Sequence, residues 1–97
     1  MSEAAVQDRI HRVLKRRGAW FVKTHGTGVG RVGLPDDLAC YRGRFLAIEV
    51  KQPGGKPTRL QAHELGRIRR AGGVALVATS PKEVERVLDD IDQQEDA

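Results

Sequence analysis

Residues 33–51 read GLPDDLACYRGRFLAIEVK, and this stretch decides how the chain folds. Two strand-like runs, Asp37–Tyr41 and Arg44–Val50, lie on either side of the pair Arg42-Gly43. Glycine adopts the positive φ of tight hairpin turns without a steric penalty. The stretch therefore predicts a β-hairpin with a two-residue turn.

The length of this turn decides which carboxylates meet. With two residues in the turn, Tyr41 faces Arg44 and, counting outward, Asp36 faces Glu49. Facing Cβ atoms lie roughly 4.5–5.5 Å apart. Because side chains alternate along a strand, Asp36 and Glu49 share one face of the hairpin and Asp37 takes the other. A four-residue turn keeps this pairing, whereas a three-residue turn shifts it by one residue and favours Asp37.

Two facing carboxylates beside a lysine indicate a particular chemistry. Asp36 and Glu49 are separated by twelve residues, and Lys51 lies on the same face as Glu49. Carboxylate oxygens bind hard divalent cations such as Mg²⁺ or Mn²⁺. A lysine beside such a cation positions or stabilises a negatively charged reactant. The combination suits hydrolysis of a phosphodiester bond, in which the cation polarises the phosphoryl oxygen and activates water.

The charge distribution favours a polyanionic partner. The net charge is +4, yet five acids and no basic residue fall in residues 89–97, so residues 1–88 carry +9. A body this basic favours nucleic acid. The four aromatic residues argue against binding by a platform of stacked rings. Candidate contacts in or beside the loops around the site are Lys23, Arg31, Lys56 and Arg59. A second basic cluster, with a solvated helix face as its simpler interpretation, is Arg67, Arg69 and Arg70.

Composition also bounds the setting of the protein. The chain has 97 residues, which predicts one domain. The single cysteine, Cys40, allows no internal disulfide, and its place in a strand predicts a small core residue. Nothing resembles a signal peptide, and no apolar run approaches the ~20 residues of a membrane span. We therefore expect a soluble protein of the reducing cytoplasm, without a membrane partner.

Hydrophobic periodicity predicts the order α-β-β-β-α-β-α, an α/β fold with a mixed four-stranded sheet. Apolar stripes mark the first and third helices, and a capping box marks the start of the second. We expect about residues 92–97 to fray. The predicted elements are a helix over 3–17, strands over 20–23, 37–41, 44–50 and 74–78, and helices over 58–71 and from 81.

One motif suggests a dinucleotide cofactor, but its sequence context does not support that interpretation. Residues 28–33 match G-x-G-x-x-G, and Glu49 lies about twenty residues further on, as in dinucleotide-binding proteins. That reading needs a helix opening from the glycines, whereas Pro35 and a strand pattern follow them here. We expect no nucleotide cofactor.

The motifs together resemble the VRR-NUC (viral replication and repair nuclease) family of the PD-(D/E)xK nuclease superfamily. The residues that carry the resemblance are Gly33-Leu34-Pro35-Asp36, Tyr41 to Lys51, Gln61 in a helix, and Gly72-Gly73 before an apolar strand. The resemblance covers nearly the whole chain and implies a restriction-endonuclease-like core. One departure is Asp37, where the family usually has an apolar residue.

The resemblance implies roles for individual residues. Asp36 and Glu49 would be metal ligands together with the backbone carbonyl of Val50, and Lys51 would orient or activate the attacking water. Glu3 matches a glutamate that the family uses in its first helix, although a contact with the helix dipole is the simpler role.

Gln61 also matches a catalytic position of the family. Its competing explanation is a capping box with Thr58, and both roles remain open.

The implied activity is that of a Mg²⁺- or Mn²⁺-dependent DNA endonuclease. Stand-alone relatives resemble Holliday junction resolvases, which implies a homodimer acting on branched DNA such as a four-way junction. The apolar stripes of the first and third helices are candidates for the contact between copies. The alternatives are a DNA-binding or assembly module without activity, an RNA nuclease, and a loosely specific monomeric nickase.

Overall fold

The computed structural model describes residues 1–24 and 32–96, and over these residues three helices cover the two faces of a four-stranded sheet. The order α-β-β-β-α-β-α predicted from the sequence is confirmed. The elements are α1 (Glu3–Arg16), β1 (Trp20–Lys23), β2 (Asp37–Tyr41), β3 (Arg44–Val50), α2 (Arg59–Arg70), β4 (Val74–Ala78) and α3 (Pro81–Asp96).

The hairpin of β2 and β3 has the predicted two-residue turn. Arg42 has a φ of 48° and Gly43 a φ of 81°. Positive φ at both central residues is the signature of a type I′ turn, whose twist matches that of the flanking strands. Tyr41 pairs with Arg44, and the ladder runs out to Asp37 opposite Ile48. The three-residue turn that would have favoured Asp37 at the site is therefore excluded.

The sheet is mixed, as expected. Its strand order is β1-β2-β3-β4, with the first two pairs antiparallel and β3 parallel to β4. The parallel pair is joined by α2, because parallel neighbours need a crossover connection. At the start of α2, the Thr58 hydroxyl accepts a hydrogen bond from the Gln61 N–H, and the Gln61 side chain accepts one from the Thr58 N–H.

The apolar stripes of α1 and α3 are packed inside the molecule. They lie on one face of the sheet and form the larger core with the inward side chains of β2, β3 and β4. Neither stripe is free to contact a second copy, so that part of the sequence-based expectation is wrong. The buried stripe residues, each no more than 4% exposed, are Val6, Ile10, Val13, Leu14, Val84, Leu88 and Ile91, and the partly buried Val87 packs against them.

On the opposite face of the sheet, α2 covers a smaller core. Leu65 packs there with Ala47 and Ala75. This helix reaches β3 and β4 but leaves part of β1 and β2 open. Cys40 lies in the open part and is exposed, so the prediction of a core cysteine is wrong. Strand parity explains the error, because Cys40 pairs with Trp20 and Phe45, which are also exposed.

The acidic end of the chain is helical through Asp96, further than the sequence predicted. Side chains of the body hold it in place. Asp92 accepts hydrogen bonds from the Tyr41 hydroxyl at 2.7 Å, from Arg42 Nη1 at 2.9 Å and from Arg17 Nη2 at 2.9 Å. Arg42 also lies 3.6 Å from Asp96, between Nη2 and Oδ1. Charge pairing across the tertiary structure therefore orders a segment that local composition marks as frayed.

A glycine brings the segment before β2 against α2. Gly33 has a φ of 87°, and a Cβ added there would lie 2.7 Å from Leu60 Cγ and 3.3 Å from the Leu60 carbonyl oxygen. The residues leading to Asp36 thus rest on the first turn of α2. None of the helices described here is long and apolar enough to cross a membrane.

Gly33→Ala should lower the free energy of unfolding more than Gly43→Ala does. Both glycines have φ above +80°, so an added Cβ costs roughly 1–2 kcal/mol of backbone strain at either position. Nothing lies within 4 Å of a Cβ at Gly43, whereas Leu60 blocks one at Gly33. Denaturant unfolding of both variants measures the difference, and equal losses would contradict the close approach to Leu60.

Asp92→Asn should lower the free energy of unfolding at pH 7 and have little effect in acid. The Tyr41 hydroxyl, then Arg42 and Arg17, hold the pKa of Asp92 below its usual range. A folded-state pKa below the unfolded one gives stability that is complete above about pH 4 and is lost as the pH falls through the folded-state value. Denaturant melts of the variant and the wild type should therefore differ at pH 7 and converge towards about pH 2.

Asp90→Asn is the matched control for this experiment, because Asp90 is an exposed residue of the same helix. A loss at pH 7 as large as that of Asp92→Asn would mean that the overall charge of α3, and not the contacts of Asp92, stabilises the fold.

Candidate active site

The structure brings Asp36, Glu49 and Lys51 together where β2 begins and β3 ends. The backbone N–H of Val50 donates a hydrogen bond to Asp36 Oδ2 at 2.7 Å, which ties the carboxylate to the end of β3. Lys51 Nζ lies 3.8 Å from Glu49 Oε2. The hairpin register extends to place Asp36 beside Glu49, on the face that the sequence assigned to both.

The surroundings of Glu49 disfavour its ionised form. Only 1% of the residue is exposed. Burial, the negative charge of Asp36 and a side-chain hydrogen bond with Asp36 raise the pKa of Glu49 to about 8, and the charge of Glu3 acts in the same direction. The ammonium of Lys51 opposes these effects in part. A buried carboxylate of this kind needs a further positive charge to remain ionised at neutral pH.

The donor set fits a hard divalent cation. Among the residues that the structure describes, Glu49 Oε1 is buried and has no hydrogen-bond partner, although such an atom is normally satisfied. Together with Asp36 it offers the carboxylate oxygens that Mg²⁺ and Mn²⁺ prefer. Within residues 1–24 and 32–96, no three His, Cys, Asp or Glu side chains are grouped to hold a metal ion. A cation here would thus rely on two carboxylates and on non-side-chain oxygens.

Glu3 reaches the site electrostatically. It lies in the first turn of α1, is exposed, and its charge contributes to the raised pKa of Glu49. That Glu3 is the counterpart of the family glutamate stays a prediction. The side chain is nevertheless not part of a three-carboxylate cluster in the described structure.

Asp37 belongs to the other face of the sheet. It is fully buried, and its Oδ1 accepts a hydrogen bond from Gln7 Nε2 at 3.0 Å and lies 2.7 Å from His11 Nε2. Burial raises the pKa of Asp37, while His11 and Gln7 act against the increase. The second acid of the pair therefore anchors α1 to the sheet and is turned away from Glu49.

Thr24 is a site residue that the sequence analysis missed. It is 5% exposed, and its hydroxyl donates hydrogen bonds to the carbonyls of Pro35 at 2.6 Å and Asp36 at 3.1 Å. Its N–H also donates to the Asp36 carbonyl at 2.8 Å. These bonds fix the backbone that carries the Asp36 side chain. The only signal in the sequence was a threonine at the end of a strand, which indicates no role by itself.

The remaining predicted residues surround the site less tightly. Gln61 completes the capping box with Thr58, as its competing explanation required. Lys23, Lys56 and Arg59 are exposed, and Arg31 lies outside the described residues, as does most of the glycine motif. Between Lys51 and Lys56 the chain makes a tight turn, in which the Gly55 N–H donates to the Gln52 carbonyl at 2.8 Å and a Cβ on Gly55 would lie 3.2 Å from Lys51 Cβ.

Acidic residues are concentrated away from α2. All 13 acids of the chain fall within the described residues, two of them in α1 and seven in α3. The other four are Asp36, Asp37, Glu49 and Glu64, and none of these is exposed. In contrast, α2 carries four arginines, and Lys51 and Lys56 precede it. The side of the molecule that carries α2 and the site is therefore positive.

Comparison with known proteins agrees with this arrangement. The model of the family described as archaeal Holliday junction resolvase (Hjc) matches residues 4–97. Among solved structures, one titled "VRR_NUC domain" is similar with a TM-score of 0.75 and 30% sequence identity, over 90% of this chain and 94% of that chain. No curated protein matches. The resemblance inferred from the motifs, and the PD-(D/E)xK fold class, are confirmed.

Proposed function

This chain belongs to the archaeal Holliday junction resolvase (Hjc) family, and on that basis we propose that it is a nuclease that hydrolyses phosphodiester bonds in DNA. The observation that carries the proposal is the group of Asp36, Glu49 and Lys51. Glu49 Oε1 is buried and has no hydrogen-bond partner among the described residues, Asp36 supplies a second carboxylate, and Lys51 Nζ lies 3.8 Å from Glu49 Oε2. Such a group serves phosphoryl chemistry better than it serves fold stability.

The proposal includes a divalent cation, Mg²⁺ or Mn²⁺, held by Asp36, Glu49 and the backbone carbonyl of Val50. When bound, such an ion polarises the phosphoryl oxygen and lowers the pKa of a water molecule. Glu3 is the further candidate ligand, because its charge already acts on Glu49.

The protein's own groups prepare this site. Thr24 and the Val50 N–H hold Asp36 at its backbone and at its carboxylate, so its oxygens need not reorganise. The Lys51 ammonium lies beside Glu49, where it orients the attacking water and offsets negative charge that gathers on the phosphate. Gln61 is proposed to contribute through α2, whose first turn rests against the segment leading to Asp36. The proposed backbone contacts are Lys23, Arg31, Lys56 and Arg59.

We further propose that the substrate is branched DNA and that the protein acts as a homodimer. The name of the matching family points to four-way junctions. A two-fold dimer presents its two sites symmetrically, which suits the nicking of two opposed strands. The basic α2 side of each copy favours DNA arms over neutral partners.

Cleavage should require a divalent cation and depend on Asp36 but much less on Asp37. Asp36→Asn and Glu49→Gln remove carboxylates from the site and should lower the cleavage rate by roughly 10²-fold or more. Asp37→Asn changes an adjacent acid on the opposite face and should retain most activity. Rates on labelled DNA with Mg²⁺, with Mn²⁺ and with excess EDTA measure these effects. Wild-type rates in EDTA would disprove the metal requirement.

Thermal melts of the same variants provide the control for folding. Glu49→Gln should unfold no earlier than the wild type, because an amide neither buries a charge nor has to take up a proton on folding. An inactive Asp37→Asn protein with a wild-type melt would contradict the assignment of Asp36 to the site. RNA of the same sequence, cleaved as fast as DNA, would redirect the proposal to a ribonuclease.

A four-way junction should be cleaved faster than a linear duplex of equal length. Competition between the two labelled DNAs in one reaction measures the preference directly. Light scattering coupled to size exclusion should give twice the chain mass of 10.7 kDa at micromolar concentration. Equal cleavage of both DNAs would contradict the preference for junctions. A mass near that of one chain would contradict the dimer. Neither result would contradict the nuclease proposal.

A further inference from the structure

The part of the sheet that α2 leaves open carries a row of exposed side chains. Trp20 pairs with Cys40, and Cys40 pairs with Phe45, so the three side chains lie next to one another on adjacent strands. Trp20 is 64% exposed and Phe45 45% exposed. The row is roughly 10 Å across, since neighbouring strands are about 4.8 Å apart. Large aromatic side chains this exposed usually mark a contact surface.

A hollow continues the row at Phe45. It measures about 580 Å³ and lies between the hairpin turn and the turn from α2 to β4. Phe45 and Ile68 provide its apolar lining, and Gly43, Gly72 and Gly73 line it without side chains. A flat ring can therefore approach the backbone closely. The volume falls in the range of small-molecule sites.

The charges around this surface identify its partner. The last turn of α2, beside the hollow, carries Arg67, Arg69 and Arg70, whereas the Arg44 guanidinium donates a hydrogen bond to Gln94 of α3 on the other side of the sheet. Apart from Glu3, whose charge reaches Glu49, the exposed acids of the chain lie in α1 and α3, on the opposite face. A second copy docked here through a two-fold contact would bring the α2 arginines of the two copies together, whereas a polyanion with planar rings matches both the arginines and the aromatic residues.

We propose that the surface formed by Trp20, Cys40, Phe45 and the adjoining hollow, here called the aromatic row, binds unstacked nucleobases of the DNA. The inference rests on the proposed nuclease function and adds a base-binding surface to it. Phe45 and Glu49 are four residues apart on β3, roughly 13 Å, and lie on one face of the sheet. One DNA molecule can therefore reach both the row and the site. The chain has only four aromatic residues, which by itself disfavours stacking on several bases, but two of them, Trp20 and Phe45, lie on this one face of the sheet.

Trp20 is the only tryptophan of the chain, so its fluorescence reports on the row directly. The Glu49→Gln protein, which leaves the DNA uncut, is titrated at fixed salt with a four-way junction carrying unpaired bases at its centre. A fully paired duplex of equal length and heparin serve as comparisons. Stacking of a base on the indole should quench the emission with the junction, while heparin, a polyanion without aromatic rings, should leave it unchanged.

Substitutions separate stacking from general apolar contact. Trp20→Leu keeps an apolar side chain and removes the ring, so junction affinity in gel shifts should fall about tenfold. Trp20→Phe keeps a ring and should bind within about twofold of the parent protein. Phe45→Leu should act like Trp20→Leu, and duplex affinity should change little in all three variants. Circular-dichroism melts check that each variant remains folded, as expected for such exposed positions.

The outcomes distinguish this inference from the nuclease proposal. Emission that stays constant at saturating junction overturns the aromatic row, even if the wild type cleaves DNA. Emission that shifts with protein concentration in the absence of DNA also overturns it, because a second copy then covers Trp20. Quenching by the junction without any cleavage by the wild type supports the row and contradicts the nuclease proposal instead.

Discussion

The two-residue turn at Arg42 and Gly43 is the constraint on which the rest of the structure depends. Both residues take positive φ, and this fixes Tyr41 opposite Arg44. Because side chains alternate, a shift of one residue would exchange the faces of every side chain on β2 relative to β3. Asp36 would then leave Glu49, and the core residues of β2 would turn to solvent. The fold and the site therefore share one determinant.

Most of the fold and the main carboxylate pair followed from local patterns, and the errors have a common physical cause. Strand bounds, helix starts and the pairing of Asp36 with Glu49 depend on turn chemistry, capping and alternation, which neighbouring residues encode. Exposure of Cys40 depends on how far α2 extends over the sheet. The ordered end of α3 depends on Arg17 and Arg42, which are distant in sequence. Thr24 escaped notice because its partners lie across the strand from it.

The site is built from groups that oppose stability. Glu49 is buried beside another carboxylate, and within the described part of the chain one of its oxygens has no partner, which costs free energy in the folded protein. The larger core of α1 and α3 lies on the other face of the sheet from Glu49. Asp37 contributes to that opposite side by joining α1 to the sheet. The adjacent acids thus have different roles: Asp36 belongs to the proposed site, and Asp37 joins α1 to the sheet.

The contacts of Asp92 also bear on the order in which the tertiary contacts form. Its partners Tyr41, Arg42 and Arg17 lie 51, 50 and 75 residues away in sequence. Contacts between residues so far apart in sequence form late and make folding slower, because closing a long loop costs entropy before the contact can form. During synthesis α1 and the hairpin emerge before α3, so Arg17 and Arg42 cannot bind Asp92 until α3 has been made. The nascent chain therefore reaches its final packing only after α3 has left the ribosome.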